Sequence, residues 1–520
     1  MSLLPFLTIA FGAGALSLLI GRIRRASAIV GLAGLFVATL LAASIRDDAP
    51  FNIAGGAIAG SAYVRLFLVM GCAGGLLVAI VALATSWPRS LPGATLLGLG
   101  AAGFALGVTD PGTAVAAATG GGVVGILITL VGRGTERGLV VAIRELRALV
   151  VAGVMALLAA AAITGSVAAS RIDPAIAALS YFGFATAVAV RFGAIPFHVW
   201  AARVADATPE VGLPLVTAWS PAAFAVVALS WTQAAVPAFV QPLVAERAII
   251  VAIAAASIVL ATAAAFVNND IEHVVGYSMV ADGGIALLGL AVLDPAAWAA
   301  TRTWLLAVVI TKTAFAAWAA ALHSTFGTRK ISDLRGWALR APVLGLALLG
   351  ILVAGVGWPG MAAFAARATL IDLAVQAPFG ALLLGAALAA VLYYGRLLLI
   401  GVAPPGDVVL TAPERPTRRQ PEPLTRIPRA RRRRGLRRFS RPELGALWQA
   451  RRLAIASAAV LVLAALSIGV AGGAFGVRAA AEAPPPAPSG EPGAVPSAPS
   501  ASDEPLPESP QPSLEPAPSS

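Results

Sequence analysis

The sequence is poor in the residues from which soluble catalytic sites and metal centres are built. Only 12% of the 520 residues are charged, and the chain has three histidines and a single cysteine, Cys72. No Cys/His cluster with metal-ligand spacing occurs, which excludes a zinc, haem or iron–sulfur site. No glycine-rich phosphate loop follows a strand pattern, and Cys72 cannot form an internal disulfide. We therefore expect no cofactor and no redox or catalytic centre in this chain.

Apolar residues take the place of the missing charges. They make up 58% of the chain, too many for a water-soluble surface. They are grouped in uncharged runs of about 20 residues, the length that spans a bilayer as a helix. The sequence predicts an all-α polytopic membrane protein of about fourteen transmembrane helices. One run, 341–376, is long enough to be a broken helix.

Basic residues are distributed unevenly between the predicted loops. The loop after the first helix and every second loop from there carry most of them, including Arg22, Arg24, Arg25 and the 402–452 segment. The intervening loops carry few. By the positive-inside rule the basic loops face the cytoplasm. We expect a multi-pass protein of the bacterial inner membrane with both termini outside, which requires an even number of helices.

Two segments near the C-terminus differ from the rest. Residues 402–452 form an Arg-rich loop, which we expect to contact anionic lipid headgroups or, alternatively, an acidic partner. We expect no nucleic acid ligand, because no nucleic-acid-binding fold accompanies the run. After a last transmembrane helix at 453–476, residues 477–520 are rich in proline and are predicted to be disordered.

Four charges fall inside predicted spans: Lys312, Arg191, Arg367 and Asp282. Inserting each charged side chain at mid-bilayer costs roughly 2.5–3.5 kcal/mol, so each is a candidate functional residue. The alternative is that they join helices through ion pairs.

Two of these charges stand near a mid-membrane proline, Arg191 near Pro196 and Arg367 near Pro359. Proline frees a backbone carbonyl and breaks a helix. Broken helices at corresponding positions of two halves are typical of inverted-repeat transporters. We expect N-terminal helices in 1–110 and two five-helix repeats, in 111–235 and 247–401.

At these residues the sequence resembles the antiporter-like subunits of respiratory complex I and of multisubunit cation/proton antiporters, most of all the N-type subunit. The stretch 191–200, Arg-Phe-Gly-Ala-Ile-Pro-Phe-His-Val-Trp, is similar to the family pattern Lys-x-x-x-x-Pro-Phe-His-x-Trp. Three more stretches resemble family motifs in the same order: 269–278, 312–336 and 357–367.

The resemblance implies that each repeat holds a half-channel and that a row of buried Glu and Lys side chains passes protons along the midplane. This chain departs from that row. Arginines stand at 191 and 367, and the fifth helix lacks the expected glutamate. Pro221 replaces a lysine, and we expect a third helix break there. Arginine keeps its proton at physiological pH, so it sets a field but does not relay. Lys312 is the one lysine of the row that remains, and Asp282 stands where the family tends to have His or Gln.

The resemblance favours a proton-translocating membrane subunit of an NADH:quinone oxidoreductase-like assembly, working with other membrane subunits and meeting quinone only indirectly. Protons would pass through water, Lys312, Asp282, His198 and His323. A cation/proton antiporter subunit and a non-conducting structural subunit remain open alternatives. A self-contained membrane enzyme fits least, because its large soluble domain is absent.

Overall fold

The computed structural model describes residues 1–47, 49–53, 56–85, 90–133, 136–168, 173–235, 243–404 and 441–482. The centre of the predicted Arg-rich loop, 405–440, and most of the predicted disordered tail, 483–520, lie outside the described residues.

Nearly all of the described chain is helical. The helices are α1 Leu4–Leu19, α2 Arg24–Ala43, α3 Ala62–Ala84, α4 Leu91–Gly107, α5 Pro111–Arg133, α6 Glu136–Ala168, α7 Pro174–Phe192, α8 Val199–Ala207, α9 Ser220–Ala235, α10 Val244–Val267, α11 Ile271–Ala291, α12 Pro295–Phe326, α13 Trp337–Arg340, α14 Pro342–Val356, α15 Ala362–Ala374, α16 Phe379–Leu388, α17 Ala390–Val402, α18 Arg441–Gly472 and α19 Val477–Glu482. Two short antiparallel strands, β1 Phe51–Ile53 and β2 Gly56–Ile58, form a hairpin between α2 and α3.

Twelve segments of the described chain are long and apolar enough to cross a membrane, and two shorter apolar helices, Leu91–Gly107 and Pro342–Val356, accompany them. The predicted all-α membrane fold is confirmed, whereas the total of about fourteen spans stays a prediction. Large apolar side chains are exposed on the outer faces of these helices, for example Leu158, Leu179 and Leu382. Such surfaces are suited to lipid and not to water.

Helix α12 lies at the centre of the bundle. It is 32 residues long, about 48 Å at 1.5 Å per residue, and its apolar span is completely buried. It packs against α3, α11, α14, α15 and α18. Small residues allow this close packing: a Cβ atom added at Gly289 of α11 would lie 1.7 Å from Thr301 Oγ1 of α12. The long helix therefore carries its side chains into the protein interior.

Two helical paths are interrupted close to the prolines singled out above. At Pro196, α7 ends at Phe192 and α8 starts at Val199, and Gly193 takes a left-handed conformation with φ 62°. At Pro359, α14 ends at Val356 and α15 starts at Ala362. Arg191 precedes the first interruption, whereas Arg367 follows the second. The two arginines are therefore not at equivalent positions relative to the breaks.

Pro221 differs from the helix break that the sequence suggested. The π-helical segment Leu215–Trp219 runs directly into α9 at Ser220, so the helix is distorted before the proline but not interrupted. Proline has no N–H to contribute, and the wider π turn accommodates that loss. The last long helix also differs in extent, because α18 begins at Arg441, inside the segment that the sequence assigned to the Arg-rich loop.

Candidate functional site

Lys312 and Asp282 form a buried ion pair between α12 and α11. Lys312 Nζ lies 2.6 Å from Asp282 Oδ2, and the two residues are 1% and 8% exposed. Lys312 stands near the middle of α12, so both charges lie deep in the span. A carboxylate in direct contact offsets much of the cost of burying an ammonium. The two charges that the sequence singled out separately thus form one unit.

Aromatic side chains surround this pair. The Tyr394 ring centroid lies 5.9 Å from Lys312 Nζ, a distance at which the ring face attracts a cation. Phe315 and Tyr394 pack with their ring centroids 4.9 Å apart. Trp304 Nε1 donates a hydrogen bond to the backbone oxygen of Asp282 at 3.1 Å. The Trp304 hydrogen bond holds α11 against α12 beside the ion pair.

Arg367 reaches the same region through Trp304. Its guanidinium lies over the Trp304 ring at 4.6 Å from the centroid, and Nη2 donates to the Gly355 carbonyl at 2.9 Å. That carbonyl belongs to the last turn of α14, next to the interruption at Pro359. Nε and Nη1 of Arg367 have no hydrogen-bond partner among the described residues. Trp304, which the sequence analysis did not consider, therefore connects Arg367 to Asp282.

Arg191 lies in a second buried polar group, on the other half of the chain. Nη2 donates to Ser220 Oγ at 2.6 Å. Glu145 of α6, 1% exposed, lies close enough to interact with Arg191 electrostatically, and Thr129 Oγ1 donates to Glu145 Oε2 at 3.0 Å. The sequence analysis found no glutamate on the fifth helix and did not examine the sixth. Arg144 and Arg147 lie close to Glu145 in the sequence, so this stretch resembles a charged loop.

Two contacts join the halves between these polar groups. Trp219 Nε1, at the end of the π segment, donates to Thr313 Oγ1 at 2.9 Å, one residue from Lys312. Gly283, one residue from Asp282, packs on Phe192, where an added Cβ would lie 2.7 Å from the Phe192 Cβ. The two buried polar groups are thus separated by apolar and aromatic side chains.

A third polar group, the Arg329 cluster, lies beyond the C-terminal end of α12. Arg329 Nε is 3.0 Å from Glu210 Oε1, and Arg329 Nη1 is 2.9 Å from Glu272 Oε1. His323 Nδ1 is also 2.9 Å from Glu210 Oε1. His323 therefore belongs to this cluster and is about 16 Å along α12 from Lys312, at 1.5 Å per residue.

The neighbouring His273 pairs with Asp206, with Nε2 3.0 Å from Oδ1. His198, the remaining histidine, stands at the N-terminus of α8. No hydrogen bond or ion pair in the described part of the chain joins it to Arg191, Lys312 or His323, and its buried Nδ1 has no partner there. Across the described residues no group of three or more His, Cys, Asp or Glu side chains could hold a metal ion.

Replacing Arg329 by methionine is expected to destabilise the protein by the order of 3 kcal/mol, because it leaves two buried carboxylates without their shared cation. The effect should be at the low end of that class, since the Arg329 side chain is 23% exposed. Thermal unfolding in detergent measures it as a drop of several degrees. Lys330→Met, which removes the adjacent exposed charge, is the matched control; an equal drop in both variants would contradict the cluster's role.

Comparison with known proteins places these groups in a family. A family model described as "NADH:quinone oxidoreductase/Mrp antiporter, TM" matches residues 147–392, which include Lys312, Asp282, Arg191 and Arg367. This segment of the chain is similar to the antiporter-like membrane family. The antiporter-like segment also contains both interrupted helices and the Arg329 cluster, so the three polar groups described above lie in or directly beside it.

Individual relatives agree with that assignment. NADH-quinone oxidoreductase subunit N of Halorhodospira halophila is 30% identical over 243 residues, which cover 46% of this chain and 49% of the relative. The chain thus spans about half the length of the curated relative it matches. A chain of respiratory complex I from Thermus thermophilus has the same fold, with a TM-score of 0.64, 19% identity, and coverage of 92% of this chain and 97% of that one. A chain of the Mrp complex from a Dietzia species gives a TM-score of 0.70 at 18% identity, with coverage of 92% and 51%.

Proposed function

We propose that this chain is a proton-translocating antiporter-like membrane subunit of an NADH:quinone oxidoreductase-like assembly. The observation that carries the proposal is the Lys312–Asp282 pair, a titratable ammonium in direct contact with a carboxylate in the middle of a buried helix. A lysine can lose and regain its proton when its counter-charge moves or is neutralised, which is the property that a relay needs.

In this proposal Lys312 is the proton carrier of the second half. Asp282 stabilises the protonated ammonium, and weakening of that contact favours release of the proton. Arg367 and Arg191 keep their charge and act as fixed positive fields on either side. His198 and His323 remain candidate exchange points nearer the surface. His323 shares the Glu210 carboxylate with Arg329 and lies about 16 Å along α12 from Lys312. It is therefore suited to an entry or exit position and not to the midplane.

The surroundings of the chain are part of the same proposal. The membrane is the bacterial inner membrane, with the basic loops in the cytoplasm and both termini outside. Residues 111–235 and 247–401 form the two repeats. The partners are other membrane subunits that carry the redox chemistry, so quinone is met only indirectly, and the 402–452 segment contacts anionic lipid.

Purification of the full chain with its native partners in mild detergent, followed by reconstitution into vesicles, tests this function. We expect redox subunits to co-purify and quinone reduction to acidify the vesicle lumen in a protonophore-sensitive manner. Proton exchange that needs a Na⁺ gradient and no electron donor would instead support a cation/proton antiporter subunit. Intact electron transfer whose proton yield does not depend on Lys312 would support a non-conducting structural subunit.

A further inference from the structure

Arg302 of α12 is a buried cation to which the account above gives no role. The residue is 5% exposed, and among the described residues no carboxylate forms an ion pair with it. Its Nε is fully enclosed and has no hydrogen-bond partner there. The titratable side chain close enough to interact with its charge is Tyr63, and tyrosine is neutral at physiological pH. Because a guanidinium does not lose its proton, burial of Arg302 calls for an anion from outside the described chain.

Trp298 adds a second unpartnered donor one helical turn away. It is also 5% exposed, and its Nε1 has no hydrogen-bond partner among the described residues. Residues four apart lie on the same face of a helix, so the indole N–H and the guanidinium belong to the same side of α12. A guanidinium edge beside a single N–H donor suits a phosphate group, whose oxygens accept several hydrogen bonds at once.

The position of Arg302 along α12 matches the level of lipid phosphates. The Tyr63 hydroxyl donates to the Arg302 carbonyl at 3.3 Å, and Tyr63 is the second residue of α3. Helix α3 has 23 residues, about 35 Å at 1.5 Å per residue, which is enough to cross the hydrocarbon core from one boundary to the other. Lys312 lies about 15 Å further along α12, near the middle of that distance. Arg302 is therefore at a membrane boundary, where the headgroups begin.

The first turn of α3 makes this position still more favourable for an anion. It contains no acidic residue, and its one described cap is the neutral Ser61 hydroxyl, which accepts from the Val64 N–H at 3.2 Å. The N-terminal end of a helix carries a partial positive charge. Arg302 thus lies beside further positive potential and not beside a compensating carboxylate.

We propose that Arg302 and Trp298 form a binding site for the phosphate group of a membrane phospholipid, at the end of the span where α12 begins. The guanidinium donates to two phosphate oxygens, and the Trp298 indole N–H donates to one of them. The lipid supplies the negative charge that the described residues do not. This inference goes beyond the proposed function and does not depend on it, because lipid binding needs no proton translocation.

Thermal unfolding of the full chain, delipidated in detergent and titrated with dioctanoyl phosphatidylglycerol, tests the site. We expect the melting temperature of the wild type to rise by several degrees at saturation. Arg302→Met should lose this rise, and Trp298→Phe should need a several-fold higher lipid concentration to reach it. Arg247→Met is the matched control, because Nε of this arginine already donates to the Ala291 carbonyl. Its response to the lipid should equal that of the wild type.

The lipid-free protein gives a second test, of opposite sign. Without lipid, Arg302→Met removes an uncompensated buried charge, so it should melt above the wild type, whereas saturating phosphatidylglycerol should reverse the order. Dioctanoylglycerol, which has the same acyl chains and no phosphate, should leave the wild-type melting temperature unchanged.

Three results would overturn the proposal. An equal rise with sodium phosphate alone would assign the site to a free ion and not to a lipid. An equal rise with dioctanoylglycerol would show that the phosphate is not recognised. A wild type that gains no stability from phosphatidylglycerol would leave Arg302 to a carboxylate of a neighbouring subunit. For an Arg302→Met variant that does not fold, Trp298→Phe decides, and a lipid response equal to that of the wild type counts against the site.

Discussion

Lys312→Ala is expected to abolish redox-driven proton translocation by the reconstituted complex. The substitution removes the one titratable cation of the buried pair, and the neighbouring arginines cannot take over a relay because they do not release their protons. The initial rate of lumen acidification measures the effect, with Lys330→Ala as the control for loss of an exposed lysine. Acidification at the wild-type rate in Lys312→Ala would favour the structural subunit.

Assembly needs its own control in that experiment. Alanine at 312 leaves the Asp282 carboxylate buried without its cation, at a cost of about 3–5 kcal/mol. The double variant Lys312→Ala/Asp282→Ala removes both charges, so it should assemble better than the single variant while remaining inactive. Recovery of translocation in the double variant would show that the pair is structural.

Asp282→Asn is expected to lower the translocation rate by at least about tenfold and to lower the apparent melting temperature as well. The amide keeps the shape of the side chain but leaves Lys312 without a counter-charge, which disfavours the protonated form that has to be loaded. Vesicle acidification and thermal unfolding are measured on the same preparation. Asp333→Asn, which neutralises an exposed carboxylate, should change neither. A fully active Asp282→Asn variant would remove Asp282 from the proton path.

The sequence predicted the membrane fold and the family because both depend on local properties. Long uncharged runs predict helices whatever their neighbours, and the motif around Arg191 and Pro196 is contiguous. A charge inside a run, such as Lys312, is visible without knowing its partner. The structure confirms the all-α membrane protein, and the family model confirms the resemblance of residues 147–392, whereas the roles of the site residues stay predictions.

What the sequence analysis missed depends on helix packing. Glu145 was overlooked because α6 is 33 residues long and carries charged residues on its first turns, so its start resembles a loop. The Arg329 cluster brings together Glu210, Glu272 and His323 from three separate segments. Their spacing along the chain does not indicate that they are in contact. In the sequence Trp304 is one apolar residue among many in a predicted span. Only the structure shows that the Arg367 guanidinium lies over its ring.

The two arginines give this chain an electrostatic arrangement different from a row of lysines. Each is almost completely buried, yet each has only one described hydrogen bond from its guanidinium group, to Ser220 Oγ or to the Gly355 carbonyl. Both therefore contribute a strong, permanent positive field beside a titratable group. Glu145 lies near Arg191, and the Lys312–Asp282 pair lies near Arg367. The fixed charge and the titratable group are thus separate residues at both sites.

The number of protons translocated per electron by Lys312→Arg tests the account most directly. Arginine keeps the positive charge beside Asp282, so the complex should assemble and transfer electrons, but it does not release its proton. We predict a lower proton-to-electron ratio than in the wild type, with electron transfer sustained when the proton gradient is dissipated. An unchanged ratio in Lys312→Arg would mean that residue 312 supplies only a fixed charge, and it would contradict the relay.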